Sequence, residues 1–226
     1  MSRYVQEDVS SEEIERQRAL YGPLAQSVRE LADAVIRTEV DDAEIAAARA
    51  GIEAITERLR ERQIAGSYGV RFNAAGEGRA WGNAVVGTRN PVAPPLKVHH
   101  DSSGRAWAEF HLGAAYEGPP GLVHGGVSAL ILDQMLGEAA GAGGKPGMTG
   151  TLTLRYRRGT PLGELRAEAH IDRVEGVKTY AVGHVADAEG VTVEAEGVFI
   201  LPKWACRALE KQAREQQDEP PPTRFE

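Results

Sequence analysis

Four residues of this chain, His124, Gly125, Gly126 and Asp133, have types and spacing that favour chemistry. The first three follow a loop rich in Pro and Gly and open an apolar stretch of helix length. The first turn of a helix has backbone N–H groups without intrahelical partners and carries a partial positive charge. Two glycines there would let a ligand approach those N–H groups, which suits the oxyanion formed when a carbonyl is attacked. A tight turn leading into a helix is the alternative interpretation.

Asp133 lies on the small-residue face of the predicted helix, which it shares with Gly126, Ala129, Gly137 and Ala140. A carboxylate on a largely apolar helix is costly in free energy unless it is paired or used. The pattern therefore favours a general base or a nucleophile. A carboxylate satisfied by backbone donors is the structural alternative.

The separation of Gly126 and Asp133 predicts how many chains form the site. Seven residues correspond to about 10 Å along a helix. One carbonyl cannot lie within about 3 Å of both groups. If both act on the same carbonyl they come from different chains, so we predict a homodimer with composite sites across a two-fold axis. A tetramer built as a dimer of dimers is left open.

The elements that position these residues follow from hydrophobic periodicity. Apolar residues recur at helical spacing between residues 10 and 62, with a break near residues 38–42. Gly, Asn and Pro are then frequent up to residue 96. We predict four segments: a helical N-terminal extension over 1–65, a linker with short extended pieces over 66–95, a folded domain over 96–202, and a short helix with a disordered tail over 203–226.

Four strand-like runs follow the central helix, at residues 148–160, 164–174, 177–188 and 191–202. In the first run Leu152, Leu154 and Tyr156 alternate with polar residues, a period of two. One helix between early strands and a later antiparallel meander predicts an α+β domain. A curved antiparallel sheet wrapped around one long helix satisfies that pattern.

Composition excludes several classes of partner. The chain has 226 residues and a net charge of −7, which argues against nucleic acid because phosphate binding requires a basic patch. No apolar run is long enough to span a bilayer, and the N-terminal residues lack the apolar region of a secretory signal. The single cysteine, Cys206, cannot form an intrachain disulfide. We therefore expect a cytoplasmic protein without a membrane partner.

Metal and thiol chemistry are not expected either. His99 and His100 are adjacent, so on a strand they point to opposite faces, and no pair of histidines has the i, i+4 spacing of a helical metal site. Cys206 has no histidine near it in the sequence. We predict neither a metal site nor a thiol nucleophile.

The stretches GLVHGGVSALILD and GMTGTLTLRYRRGTPLG resemble the PaaI-like and THEM4-like branch of the hot-dog-fold acyl-CoA thioesterases. The resemblance covers about residues 90–201 and leaves the N-terminal helices outside. It implies a hot-dog fold and hydrolysis of an acyl-CoA thioester to a free acid and coenzyme A. It implies no cofactor, since coenzyme A is part of the substrate.

The resemblance also assigns roles to individual residues. The amides of Gly125 and Gly126 would polarise the thioester carbonyl, and His124 would help to hold the loop. Asp133 of the partner subunit would activate water or attack directly. Thr149, at the start of the next strand, matches the family hydroxyl that orients the water.

Three cations are candidates for contacts with coenzyme A, and of these Lys178 matches a turn that contacts coenzyme A in the family. Arg155 and Arg157 project from the same face of one strand, and Lys178 lies in a later turn. Such groups suit phosphates and pyrophosphate. Solvated strand charges are the alternative interpretation for all three.

Two other functions fit parts of the pattern less well. A hot-dog dehydratase is disfavoured because the sequence has no HFPxxP-like segment. A non-catalytic acyl-CoA-binding or regulatory module would keep the pocket without turnover, and the presence of both Asp133 and Thr149 argues against it. The sequence leaves the acyl group, the role of the N-terminal helices and the pathway undetermined.

Overall fold

The computed structural model describes residues 4–202, so the predicted helix and tail over 203–226, and Cys206 with them, lie outside the described residues. The chain divides into two compact units. The first comprises residues up to 97 together with 110–124 and 161–164, and the second comprises 98–109, 125–160 and 165 onward.

Two long helices dominate the first unit, α1 over Ser11–Arg37 and α2 over Asp42–Arg60. Ser10 caps α1 by accepting a hydrogen bond from the Glu13 amide at 3.2 Å, and Asp41 caps α2 by accepting from the Glu44 amide at 3.0 Å. Both caps satisfy N–H groups that the helices leave unpaired. The predicted break lies between them. No residue of α2 is buried.

A small sheet completes the first unit, formed by β1 (Tyr4–Gln6), β2 (Val70–Phe72) and β3 (Gly78–Arg79). The strand β1 runs parallel to β2, and β2 runs antiparallel to β3. Glu7 forms ion pairs with Arg71 and with the buried Arg79. A buried guanidinium requires such a partner because its desolvation is otherwise uncompensated.

One helix, α3 (Gly125–Ala142), lies against a six-stranded sheet in the order β4-β5-β7-β8-β9-β6. The strands are β4 (His99–His100), β5 (Ala106–Leu112), β6 (Met148–Tyr156), β7 (Gly163–Glu175), β8 (Lys178–Asp187) and β9 (Gly190–Ile200). Strands β7, β8, β9 and β6 are antiparallel to their neighbours in that order. The predicted α+β fold with N-terminal helices is confirmed.

The core of the second unit joins large side chains of α3 to small ones of the sheet. Ile131, Leu132, Met135 and Leu136 are at most 1% exposed, and the strands present buried alanines at positions 167, 169, 181 and 195. Small residues opposite large ones let the helix approach the strands at the packing density of a protein interior. The same packing leaves one side of α3, including Asp133, outside the core.

Three register irregularities interrupt the strands: between Thr149 and Thr151 in β6, between Ile171 and Arg173 in β7, and between Val185 and Ala186 in β8. Bulges of this kind bend a strand and increase its twist, which gives a sheet the curvature it needs to surround a helix. Within residues 4–202, none of the helices combines the length and the apolar character required to cross a membrane.

Candidate active site

The loop that precedes α3 is held by a short ladder of backbone hydrogen bonds within the first unit. The His124 amide donates to the Tyr116 carbonyl at 2.9 Å, and the Gly118 amide donates to the Leu122 carbonyl at 2.9 Å. A Cβ atom at Gly118 would lie 2.7 Å from the His124 Cα atom, so only glycine fits there. These hydrogen bonds and this close contact therefore fix the position of the His124 backbone, directly ahead of the first residue of α3.

The helix α3 begins at Gly125, one residue later than His124. Its first turn contains no acidic side chain, so the positive end of the helix dipole is not neutralised from within that turn. Gly126 is exposed. That this turn stabilises an oxyanion stays a prediction.

Tyr156, the last residue of β6, contacts the first residue of α3. Its hydroxyl donates to the Gly125 carbonyl at 2.9 Å. A Cβ atom at Gly125 would lie 3.3 Å from the Tyr156 ring, a contact tighter than ordinary packing. The absence of a side chain at Gly125 thus serves a close approach within the chain, a reason that sequence analysis did not identify.

The structure brings Asp133 and Thr149 together. The Thr149 hydroxyl donates to Asp133 Oδ1 at 2.8 Å, although the two residues are 16 positions apart. Asp133 is half-buried and Thr149 is exposed, and Thr149 adjoins the bulge in β6. A hydroxyl donor at this distance orients the carboxylate that the sequence singled out as a base or nucleophile.

The two predicted halves of the site lie at opposite ends of β6. Gly125 contacts Tyr156 at the end of that strand, whereas Asp133 contacts Thr149 near its start. Within one chain the first-turn amides and the carboxylate are therefore separate, as the spacing of about 10 Å along the helix requires.

The three predicted cations are also far apart within one chain. Arg155 lies opposite Glu194 in the β6–β9 register, and the Arg157 guanidinium bonds the Glu194 carboxylate at 2.6 Å. That hydrogen bond lowers the pKa of Glu194 and raises the pKa of Arg157. Lys178 lies opposite Ile200. Ile200 follows Glu194 by six positions on β9, so Lys178 is about 20 Å along the sheet from Arg155.

The adjacent histidines have partners of their own in the second unit. The His99 ring stacks on Trp107 with a centroid distance of 5.6 Å, and His100 Nε2 lies 3.1 Å from Glu138 Oε2. Across residues 4–202 no group of three or more His, Cys, Asp or Glu side chains is arranged to hold a metal ion.

Comparison with protein families matches residues 120–194 to the thioesterase superfamily. Among curated proteins, the human acyl-coenzyme A thioesterase THEM5 is 31% identical over 94 residues, which cover 40% of this chain and 38% of that protein. The Bos taurus acyl-coenzyme A thioesterase THEM4 is 33% identical with the same coverage of both chains. The chain thus spans well under half the length of these curated relatives.

Among solved structures, the crystal structure of a thioesterase superfamily protein is similar over most of its length. It is 34% identical, with a TM-score of 0.70, and the match covers 80% of this chain and 90% of that one. The match exceeds the hot-dog segment alone and includes part of the N-terminal region, since residues 90–202 make up only half of the sequence.

Proposed function

Because the chain is a hot-dog-fold member of the thioesterase superfamily, we propose that it hydrolyses an acyl-CoA thioester to a free acid and coenzyme A. The observation that carries this proposal is the hydrogen bond from Thr149 to Asp133, which orients a carboxylate on the open side of α3. A module that only binds acyl-CoA has no use for an oriented carboxylate, so the pair favours hydrolysis over binding without turnover.

In the proposed reaction the Asp133 carboxylate removes a proton from water, and the water oxygen attacks the thioester carbonyl carbon. The negative charge that forms on the carbonyl oxygen is stabilised by the first-turn amides at Gly125 and Gly126. The intermediate then collapses with cleavage of the C–S bond, and the proton held by Asp133 passes to the coenzyme A sulfur. No cofactor takes part.

The proposed site is completed by a second copy of the chain. Strand β6 forms one edge of the sheet, and no strand within residues 4–202 pairs with its outer side. Antiparallel pairing of two copies of β6 about a two-fold axis aligns the end of one strand with the start of the other. The first turn of one α3, near Tyr156, then adjoins the Asp133 and Thr149 of the partner subunit.

The same pairing gives the separated cations a common ligand. Arg155 and Arg157 lie towards the end of β6, whereas Lys178 lies, across β9, beside the start of β6. Pairing of the two strands therefore carries Arg155 and Arg157 of one subunit towards Lys178 of the other. We propose that these three cations bind the phosphates of coenzyme A across the dimer interface.

Release of free thiol from a panel of acyl-CoA esters tests the proposal. We expect Asp133→Ala to lower kcat by roughly a hundredfold or more, the usual contribution of a positioned acid–base group. Asp172→Ala is the matched control, because Asp172 is an exposed aspartate that forms an ion pair with its neighbour Arg173. Unchanged hydrolysis in Asp133→Ala would remove Asp133 from the mechanism. Tight binding of acyl-CoA by the wild type without thiol release would favour the binding module instead.

A further inference from the structure

The helix α2 carries a line of aliphatic side chains that nothing within residues 4–202 covers. Its members follow one another at intervals of seven, three and four residues, the spacing of a helix that packs against another helix: Ile45, Ile52, Ile55 and Leu59. The exposed fraction of Ile45 is 45%, and that of Ile55 and of Leu59 is 54%. A single exposed aliphatic residue is ordinary, but a continuous line of them marks an interaction surface.

The rest of the described chain gives α2 no packing partner. No residue of α2 is buried, and no other helix or strand within residues 4–202 packs along it. Helices in proteins owe most of their stability to the packing of an apolar face, and Gly51 in the middle of α2 weakens this helix further. A Cβ atom at Gly51 would meet nothing within 4 Å, so the single chain does not require glycine there. These observations indicate that α2 packs against a surface outside its own chain.

The charges of α2 show which surface that is. Residues of opposite sign lie at equal distances on the two sides of Gly51, at nine, seven and two positions: Asp42 and Arg60, Glu44 and Arg58, Arg49 and Glu53. A second α2 that runs antiparallel about a two-fold axis beside Gly51 therefore places every one of these charges opposite a charge of the other sign. A parallel pair would place like charges side by side, which is unfavourable. Glu57 has no charged counterpart, because its position corresponds to Ile45.

The pair at seven positions is available for contacts between two chains. Among the ion pairs within residues 4–202, none includes Glu44 or Arg58. Arg49 pairs with Glu53 at 2.8 Å in its own helix, and its side chain is 78% exposed. Exposed pairs of that kind contribute little free energy and are readily shared with a further partner. The charges at both ends of α2 can therefore meet a second helix.

We propose that α2 pairs antiparallel with α2 of a second copy of the chain, about a two-fold axis beside Gly51. Ile45 of one subunit then packs near Ile55 of the partner subunit, and Glu44 of one subunit lies beside Arg58 of the partner subunit. This interface belongs to the first unit, whereas strand β6 belongs to the second, so it is distinct from the proposed β6 pairing. It does not depend on the proposed hydrolysis.

Cross-linking of the full-length protein without substrate tests the pairing. Single cysteines are introduced into a Cys206→Ser background and treated with a bismaleimide whose spacer is about 8 Å, close to the separation of packed helices. We expect Ile52→Cys to form covalent dimers, because position 52 adjoins the axis and faces the partner. Leu59→Cys should not, because its two copies lie about 24 Å apart along antiparallel helices. Ala50→Cys is the matched control, since it adjoins the axis but faces away.

Two results of this experiment would overturn the proposal. Absence of cross-linking in Ile52→Cys would show that the two helices do not meet. Cross-linking of Leu59→Cys as fast as Ile52→Cys would show a parallel arrangement or random collision, and cross-linking of Ala50→Cys separates these two explanations.

Charge reversal tests the complementarity, with the initial rate of cross-linking of Ile52→Cys as the measurement. The protein concentration is kept low enough that the parent variant is cross-linked only in part. We expect Glu44→Arg or Arg58→Glu alone to lower the rate by roughly threefold or more, because two attractive contacts per pair become repulsive. The two substitutions together should restore it. Glu57→Arg is the control, since Glu57 meets no charge of the partner subunit.

The double substitution distinguishes pairing from an effect within one helix. Acidic residues in the first turn and basic residues in the last also favour the dipole of the single helix. If that were their only role, Glu44→Arg with Arg58→Glu would be worse than either change alone, and this result would overturn the charge pairing.

A lipid surface is the other occupant that an apolar helix face can have. Helices that bind anionic membranes are rich in Lys and Arg, whereas α2 contains four acidic residues and three basic ones. We therefore expect the protein to stay in the supernatant when vesicles of phosphatidylcholine and phosphatidylglycerol are sedimented. Sedimentation with the vesicles that is lost in Ile52→Glu would assign the aliphatic line to lipid and overturn the proposal.

Discussion

At the scale of single residues, the Asp133 carboxylate owes its orientation to one hydroxyl. Thr149 donates to it at 2.8 Å from the start of β6. The donor and the carboxylate come from different elements, so their distance depends on how α3 lies on the sheet. In the proposed reaction Thr149 is therefore a positioning residue. Its hydroxyl group is required, and the shape of its side chain is not.

Substitution of Thr149 separates these two contributions. Thr149→Val keeps the shape but removes the donor, and we expect kcat to fall about ten- to a hundredfold, equivalent to a hydrogen bond to a charged group. Thr149→Ser should restore most of the rate. Thr153→Val, an exposed threonine on the same strand, is the control. Full activity in Thr149→Val together with a loss in Thr149→Ser would show that the methyl group matters instead.

The residues of the site were predictable from the sequence to different degrees. Asp133 was identified because a carboxylate on an apolar helix is costly, but its partner Thr149 came only from resemblance to a family. Tyr156 was placed on the correct strand without any role, because its contact with Gly125 spans 31 residues and leaves no local pattern. Periodicity reports which face a residue occupies, not which distant backbone atom it meets.

At the scale of helices and strands, the prediction was most accurate where the pattern was long. The central helix and the four long strands each contain nine or more residues, enough for several periods of 3.6 or 2. The strands β1, β2 and β3 contain two or three residues each, too few for a period, and their pairing was not predicted. Their pairing joins residue 4 to residue 70, which only the folded chain reveals.

The turn between β8 and β9 is tied to the segment after β6 by Arg158, which pairs with Asp187 and, at 4.0 Å, with Glu189. Arg158 Nη1 donates to Asp187 Oδ2 at 2.8 Å, and Arg158 also donates to the Gly190 carbonyl at 3.0 Å. The hydrogen bond with Arg158 lowers the pKa of Asp187 to about 2. The Asp187 side chain is only 9% exposed, so the pair is shielded from solvent on the aspartate side.

The ion pair between Arg158 and Asp187 should make the stability of the protein depend on pH in the acid range. Because the folded-state pKa of Asp187 lies below its ordinary value, its contribution is complete above about pH 4 and is lost as the pH falls towards about 2. We expect Asp187→Asn to lower the urea midpoint at pH 7, and the difference from wild type to shrink below pH 4. Asp172→Asn is the exposed control. A difference that is constant with pH would contradict the assignment.

At the scale of the whole molecule, the proposed site requires two chains, and mixed dimers test that requirement. Asp133→Ala removes the carboxylate, and Gly126→Pro removes one first-turn N–H at a helical position where proline is tolerated. Each variant alone should be inactive. A mixed dimer keeps one complete site, formed by Asp133 of one subunit and Gly126 of the other.

Co-expression of the two variants should therefore restore activity. Random association makes half of the dimers mixed, and each of these has one intact site of two, so about a quarter of the wild-type activity is expected. The molar mass in solution should correspond to at least two chains. An active monomer, or no restoration in mixed dimers that fold normally by circular dichroism, would refute the composite site.

Thr149 and Tyr156 are seven residues apart on the same strand, and both of their contacts with α3 depend on one alignment of β6 with β9. A shift of that alignment by a single residue would turn each side chain to the opposite face of the sheet. A chain with this shifted alignment would keep its hydrogen-bonded strands. It would lose the hydrogen bond from Thr149 to the Asp133 carboxylate and the one from Tyr156 to the start of α3. If the proposed reaction takes place, the fidelity of this one strand pairing during folding determines whether a well-formed sheet also carries a complete site.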